Sequence, residues 1–440
     1  YDATPNFQAM PDAVIAPRNT NEVAEVLKVC NTHKIPVYVR GSGTNLCAGT
    51  CPLEGGIVLI FRHMNNILEI DEENLTITVQ AGVITLDIIK AVEEKGLFYP
   101  PDPSSMKIST IGGNINENSG GLRGLKYGVT RDYVMGLELV LPNGDIIRTG
   151  GKLAKDVAGY DLTRLFIGSE GTLGVVTEAI LKLVPMPETK KTMLALYEDI
   201  NEAARAVSSI IANKIIPATL EFLDQPTIEV VEEFAQIGLP TDVKAILLIE
   251  QDGPPEVVNR DIEKMANVCR SMNAVDVRVA KDEAEADALR TARRSALSAL
   301  ARLKPTTILE DATVPRSQIA PMVEAINAIA KKYNIPICTF GHAGDGNLHP
   351  TCMTDARNEE EMHRAEQAFA EIFAKAIELG GTITGEHGVG AMKAPYLEMK
   401  LGKEGIAAMQ GIKQAFDPNN IMNPGKMFAR DTRKRVVVER

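Results

Sequence analysis

Apolar and polar positions along the chain follow two periods. After Asn21, residues Val23, Val26, Leu27 and Cys30 recur at helical spacing, predicting an amphipathic helix, and Val37-Tyr38-Val39 follows as a short buried strand. Arg40-Gly41-Ser42-Gly43-Thr44-Asn45 then reads as a loop of small residues. Residues 67–83 read as two strands around Asp71-Glu72-Glu73-Asn74, and 85–96 as a helix. The clearest hairpin spans 134–150, where Pro142-Asn143-Gly144-Asp145 supplies the residues that a tight turn needs. Pro185-Met186-Pro187 breaks the pattern and extends the connection. Beyond it, strands at 192–197, 218–223 and 245–250 alternate with helices near 200–211, 227–234 and 256–272. That succession predicts an α+β unit with antiparallel pairing. The last third returns to glycine-rich loops and closes on Asp417-Pro418-Asn419-Asn420-Ile421-Met422-Asn423-Pro424-Gly425-Lys426.

Composition narrows the class. The 440 residues suffice for two domains, and 45% hydrophobic with 24% charged residues is ordinary for a soluble globular protein. Basic residues number 47 against 58 acidic, a net charge of −11 that argues against a nucleic-acid partner. A small anionic substrate then needs local positive charge that the average conceals. The six cysteines, Cys30, Cys47, Cys51, Cys269, Cys338 and Cys352, are scattered and lack repeated CxxC spacing, which excludes a disulfide framework and an iron–sulfur or zinc-ribbon pattern. A reducing, cytoplasmic location is expected. No stretch approaches the roughly 18 consecutive apolar residues of a membrane span, so no integral membrane segment is expected. The basic tail, 429–440, reads as a solvated end.

Chemistry concentrates in two regions. Four glycine-rich stretches lie between Gly41 and Gly174, where successive backbone N–H groups can turn toward one concavity and hold a pyrophosphate. No GxGxxG joins a first strand to a helix with a downstream acid, so a Rossmann site is excluded. In the second region, Gly341-His342-Ala343-Gly344-Asp345-Gly346-Asn347-Leu348-His349 and Gly385-Glu386-His387-Gly388-Val389-Gly390 carry three of the six histidines. The glycines disfavour a helix, so the chain can fold back and bring His342 and His349 to one point. Two imidazoles and a carboxylate suit a divalent metal. A metal-free polar network around a substrate is the competing arrangement, and ligand type and count favour the metal, whether zinc, iron or manganese. His33, His63 and His363 have no such context.

The RGSGTN loop, the STIGGNINENSGG run and the GSEGTLGVVTEA segment together resemble the FAD-binding domain of the vanillyl-alcohol-oxidase (PCMH-type) flavoproteins. The resemblance implies that Arg40, Gly41, Ser42, Gly43, Thr44 and Asn45 hold the FAD diphosphate. It places Pro103, Ser104, Thr110, Gly113, Asn114, Ser119, Gly120 and Tyr127 near the ribityl chain and isoalloxazine, and Glu170, Gly174, Val175 and Val176 toward the adenosine. The first loop offers only Cys47 for covalent attachment, so non-covalent FAD is expected, with Cys47 a packing residue. GHAGDGNLH and GEHGVG are similar to signatures of the flavin-dependent D-lactate dehydrogenase and glycolate oxidase group. That likeness makes His342, His349 and Glu386 metal ligands, His387 the catalytic base, and Asn423 a residue returning to the flavin. It extends from Pro11 to Phe428.

The expected architecture is α+β: an FAD-binding domain over 1–186, an antiparallel cap for substrate over 187–384, and a segment over 385–428 that completes the active site. The expected reaction is oxidation of a small D-2-hydroxy acid, D-lactate ahead of glycolate, with hydride passing to flavin N5. The substrate carboxylate needs a guanidinium, for which Arg293 and Arg294 are candidates, and the resemblance favours Arg293; a solvated helix face is the alternative for that basic run. Lys393 and Tyr396 are weaker candidates for a substrate or flavin contact. An electron-transferring flavoprotein or an iron–sulfur subunit is the expected acceptor. Alternatives are D-2-hydroxyglutarate as substrate, a non-catalytic FAD-binding electron-transfer subunit, or a metal hydrolase, which leaves the glycine loops unexplained.

Overall fold

The computed structural model describes residues 2–4 and 7–428; the basic tail lies outside the described residues. The first helix, Thr20–His33, starts where the Asn19 side chain accepts the Glu22 N–H, and it buries Val23, Leu27 and Cys30. The strand Val37–Arg40 follows, pairing in parallel with Ile57–Ile60, which pairs in parallel with Ala13–Ile15. Parallel neighbours need a crossover, and here the crossover carries the 41–45 loop at the carboxyl end of its strand.

A second sheet is antiparallel, in the order Ile67–Asp71, Thr76–Gln80, Val175–Lys182, Val134–Val140, Ile146–Gly150. Its last two strands are the expected hairpin, turning at Gly144 with φ 86°. The strand Val175–Lys182 follows the glycine-rich segment and ends just before the break at Pro185.

The cap is one sheet sandwiched between helices. Its order is Asp276–Val279, Thr189–Tyr197, Ala245–Gly253, Thr219–Asp224, Ile337–His342, Asn347–Thr354, Thr306–Leu309, with the short strand Ala312–Thr313 also on Asn347–Thr354. Both faces are buried, so the strands read as unbroken apolar runs. Ala245, Leu247 and Ile249 face the helices Ile200–Ala212 and Pro255–Ser271, while Ile246 and Leu248 face the opposite core with Leu289 and Ala292. The last third is far more regular than its glycines suggest. Residues 341–349 form a strand hairpin, and Ile319–Tyr333, Glu359–Glu378 and Leu397–Phe416 are helices, the last interrupted at Gly402.

The C-terminal segment returns to the first sheet. Val37 donates its N–H to the Ile421 carbonyl (2.7 Å), and Asn423 donates to the Val37 carbonyl (2.8 Å). No helix among the described residues is long and apolar enough to cross a membrane.

Leu247 sits fully buried at the centre of the cap sheet. Leu247→Ala is expected to destabilise the protein by about 2–5 kcal/mol, through lost transfer energy and an unfilled cavity. A lower urea midpoint in far-UV circular dichroism measures it, and an unchanged midpoint would contradict the assignment of this core.

Candidate active site

The loop after Val37–Arg40 leaves donors unused. Among the described residues, the backbone N–H groups of Ser42, Gly43, Thr44 and Asn45 have no acceptor. Asn45 shapes the loop by accepting from the N–H groups of Cys47 (3.3 Å) and Gly49 (2.8 Å) through Oδ1. Thr110 caps the helix Ile111–Glu117 by accepting the Gly113 N–H, and its hydroxyl lies so close to Gly41 that a Cβ there would stand 2.1 Å away. Unpartnered N–H groups packed this closely suit an anionic, pyrophosphate-like group.

These loops form one wall of a cleft of about 530 Å3. Gly41, Ser42, Gly43, Thr44, Asn45, Pro103, Ser104, Thr110, Gly113, Asn114, Ser119 and Gly120 line it. From the cap and the C-terminal segment come Arg293, Arg294, Leu297, Leu309, Phe340, His342, His349, Glu386 and His387. Residues separated by hundreds of positions in sequence therefore face one space. Glu170 and Val176 line a smaller recess that shares Gly41, Thr110 and Gly113 with the cleft.

The other expected cofactor residues lie behind these walls. Arg40 ends its strand, and its buried Nε has no acceptor among the described residues. Tyr127 donates its hydroxyl to Asp252 Oδ2 (2.8 Å), bridging to the cap. Gly174 lies against the Val140 carbonyl, and Val175 is core. Asn423 donates through Nδ2 to the carbonyls of Gly49 (3.0 Å) and Glu170 (2.6 Å), pinning two glycine loops together.

Strand periodicity explains the imidazole cluster. His342 and His349 occupy adjacent strands whose register pairs His342 with Asn347 and Phe340 with His349, so both side chains share one sheet face. Their ring centroids are 5.1 Å apart at 90°, and His349 stacks on His387 at 5.1 Å with an interplanar angle of 14°. Glu386 Oε1 stands 3.1 Å from His342 Nε2, 3.4 Å from His349 Nε2 and 3.9 Å from His387 Nε2. One donor atom from each of His342, His349 and Glu386 falls within 4.8 Å of the others, a spacing that a single divalent cation can bridge.

Electrostatics suit a cation at this point. Burial opposes charge on His342, but Glu221 and Glu386 on its two sides outweigh it and raise the imidazole well above its ordinary value. Burial alone would raise Glu386; His342, His349 and His387 bring it down to about 2. Burial lowers His349 well below its usual value, with His342 and His387 adding to the effect. It also lowers His387, against the pull of Asp311 and Glu386, which favours the neutral, proton-accepting form.

The turn carrying Glu386 and His387 hangs between two carboxylates. Asp311 Oδ2 accepts the backbone N–H groups of Gly385 (2.6 Å), Glu386 (2.7 Å) and His387 (3.2 Å). Its other oxygen takes Lys393 Nζ and stands 3.5 Å from His387 Nδ1. Glu170, from the first half of the chain, accepts the N–H groups of Val389 (2.7 Å) and Gly390 (2.6 Å). Lys393 is thus committed to Asp311 and Glu310, and Tyr396 is buried against Phe373; neither lines the cleft. Arg293 does line it, pinned by Glu221 and stacked 4.7 Å over Phe340, whereas Arg294 pairs with Asp102 at 2.9 Å.

Glu221 and Asp311 escape a motif reading because each sits near another acid, Asp224 and Glu310, in an otherwise apolar stretch without motif spacing, TLEFLD and TILEDAT. The available signal was a charge inside, or directly after, an otherwise apolar strand run. Cys47 is buried outside the cleft wall, and burial raises its thiol well above the ordinary value.

A family profile described as FAD linked oxidases, C-terminal domain, matches residues 186–427, and one described as FAD binding domain matches 11–150. The chain is 78% identical over 440 residues to the glycolate oxidase subunit GlcD of Bacillus subtilis (strain 168), covering 100% of this chain and 94% of that protein. It is 38% identical over 433 residues to a D-lactate dehydrogenase of Anaerostipes hadrus, covering 96% and 90%. Among solved structures, p-cresol methylhydroxylase with substrate bound shares the fold, with a TM-score of 0.81 at 20% identity over 98% of this chain and 92% of that one.

Gly41→Ala tests the anion cradle, since its Cβ would collide with the Thr110 hydroxyl. The variant is expected to purify with less than half the flavin of the unaltered protein, read from the 450 nm to 280 nm absorbance ratio. Full flavin content would contradict the cradle.

Proposed function

The chain belongs to the FAD-linked oxidases, an oxidoreductase family, and on that footing we propose that it oxidises a short 2-hydroxy acid, glycolate or D-lactate, to the 2-keto acid. FAD-linked oxidation of hydroxy acids is common to its named relatives. The B. subtilis likeness puts glycolate ahead of D-lactate, the reverse of the order expected from motifs alone. The observation that carries the reading is the single cleft in which Arg293, His342, His349, Glu386 and His387 face the glycine loops.

FAD, when bound by those loops without a covalent link, supplies the two-electron acceptor that no side chain offers. His342, His349 and Glu386 would hold a divalent cation, which would act there as a Lewis acid toward the substrate oxygens. Arg293 binds the substrate carboxylate, its guanidinium held in orientation by Glu221 and Phe340. His387 removes the hydroxyl proton, and Asp311 near Nδ1 steadies the imidazolium that results. Leu297, Leu309 and Phe340 give the pocket an apolar side that accepts hydrogen or methyl at the substrate α-carbon. The naming of the B. subtilis relative as a subunit supports a protein acceptor for the electrons, an electron-transferring flavoprotein or an iron–sulfur subunit.

His387→Ala is expected to keep its FAD and slow anaerobic flavin bleaching by glycolate by about 10²–10⁴-fold; a rate equal to the unaltered protein's would remove His387 from the chemistry. Arg293→Lys is expected to raise the KM for glycolate about tenfold or more, because a point charge cannot replace the fork. In a stopped-flow panel, glycolate and D-lactate should bleach the flavin faster than L-lactate or D-2-hydroxyglutarate. Preference for the dicarboxylate would overturn the proposed substrate class.

A further inference from the structure

Glu221 lies in the strand Thr219–Asp224, fully buried and outside the cleft wall. The pairing of Phe222 with Gly341 and of Leu223 with Phe340, carried one residue on, sets Glu221 beside His342 on the same sheet face. Its two oxygens have different partners. Oε1 is 2.7 Å from His342 Nδ1, and Oε2 is 2.5 Å from Arg293 Nη2.

Each contact decides something at the cleft. A carboxylate at Nδ1 holds a proton on that nitrogen, so Nε2, which faces Glu386 Oε1 at 3.1 Å, is the nitrogen that would give up its proton to take a cation. The guanidinium of Arg293, ion-paired with Glu221 and set against the Phe340 ring, keeps both Nε and Nη2 without a hydrogen-bond acceptor among the described residues. The side chain that selects the tautomer of one group therefore also aims the other.

We propose that Glu221 is a positioning residue that couples two tasks, cation binding through His342 and substrate-carboxylate binding through Arg293. The proposal rests on the reading of the cleft as a hydroxy-acid site. Both partners of Glu221 are donors, and a carboxylate has an acceptor for each. Glutamine is nearly the same shape but has one acceptor end and one donor end. Its oxygen can accept from Arg293 while its NH2 donates to His342 only if the imidazole carries its proton on Nε2, the atom that would face the cation, and it lacks charge for either.

The test compares Glu221→Gln with the unaltered protein as FAD-loaded holoenzymes, with flavin content as the control for folding. Zn2+ and Mn2+ affinities come from competition with a chromophoric chelator, without substrate, and kcat and KM for glycolate are measured at saturating cation. The expected result is a loss of cation affinity of about 10–100-fold and a KM raised about tenfold, with kcat changed far less. A merely structural residue would lower flavin content and thermal midpoint without that split. Either quantity remaining within about twofold of the unaltered protein would overturn the coupling. If the unaltered protein binds neither cation and does not respond to glycolate, the hydroxy-acid reading itself falls, and the coupling with it. Should Glu221→Gln fail to accumulate as yellow protein, Glu221→Asp carries the same comparison, because an aspartate, one methylene shorter, cannot reach both partners.

Discussion

Five backbone N–H groups of one short turn are held by two buried carboxylates from opposite parts of the chain. Asp311 of the cap takes those of Gly385, Glu386 and His387, and Glu170 of the FAD-binding half takes those of Val389 and Gly390. An anion removed from water is tolerated only while such donors surround it. Moving the turn would strand both anions at once, so the imidazole of His387 and the carboxylate of Glu386 are fixed relative to both halves. Lys393, fully buried between Glu310 and Asp311, balances the charge beneath the turn.

The same logic extends across the cleft. Glu386 is the hub on which three imidazoles converge, and Glu221 closes the ring behind His342 and Arg293. The net charge of −11 gives no hint of this arrangement. Locally, Arg293 and Arg294 bring positive charge to the cleft wall, each beside a buried carboxylate, Glu221 and Asp102 respectively.

Much of the fold was legible where local rules govern it. The Asn19-capped helix, the 134–150 hairpin and the alternating strands and helices from Thr189 to Ser271 follow from periodicity and turn chemistry. The histidine segment was not, because its glycines serve packing rather than loop formation. Gly341 lies within a strand, and a Cβ there would stand 2.3 Å from the Asn347 carbonyl. The cluster of His342, His349, Glu386 and His387 was legible as two motifs, whereas Glu221 and Asp311 act through contacts 121 and 75 positions away in the chain, which no local pattern encodes. Glu170 stands in the expected glycine run, and its carboxylate also holds the His387 turn, a contact 219 positions away that no local pattern encodes.

The most direct test of this account is anomalous diffraction from crystals of the FAD-loaded protein grown with a divalent cation and soaked anaerobically with glycolate. The account predicts one anomalous peak bonded by His342, His349 and Glu386, with the glycolate hydroxyl beside His387 and its α-carbon against the flavin ring. A peak elsewhere, or a flavin ring remote from His387, would contradict it.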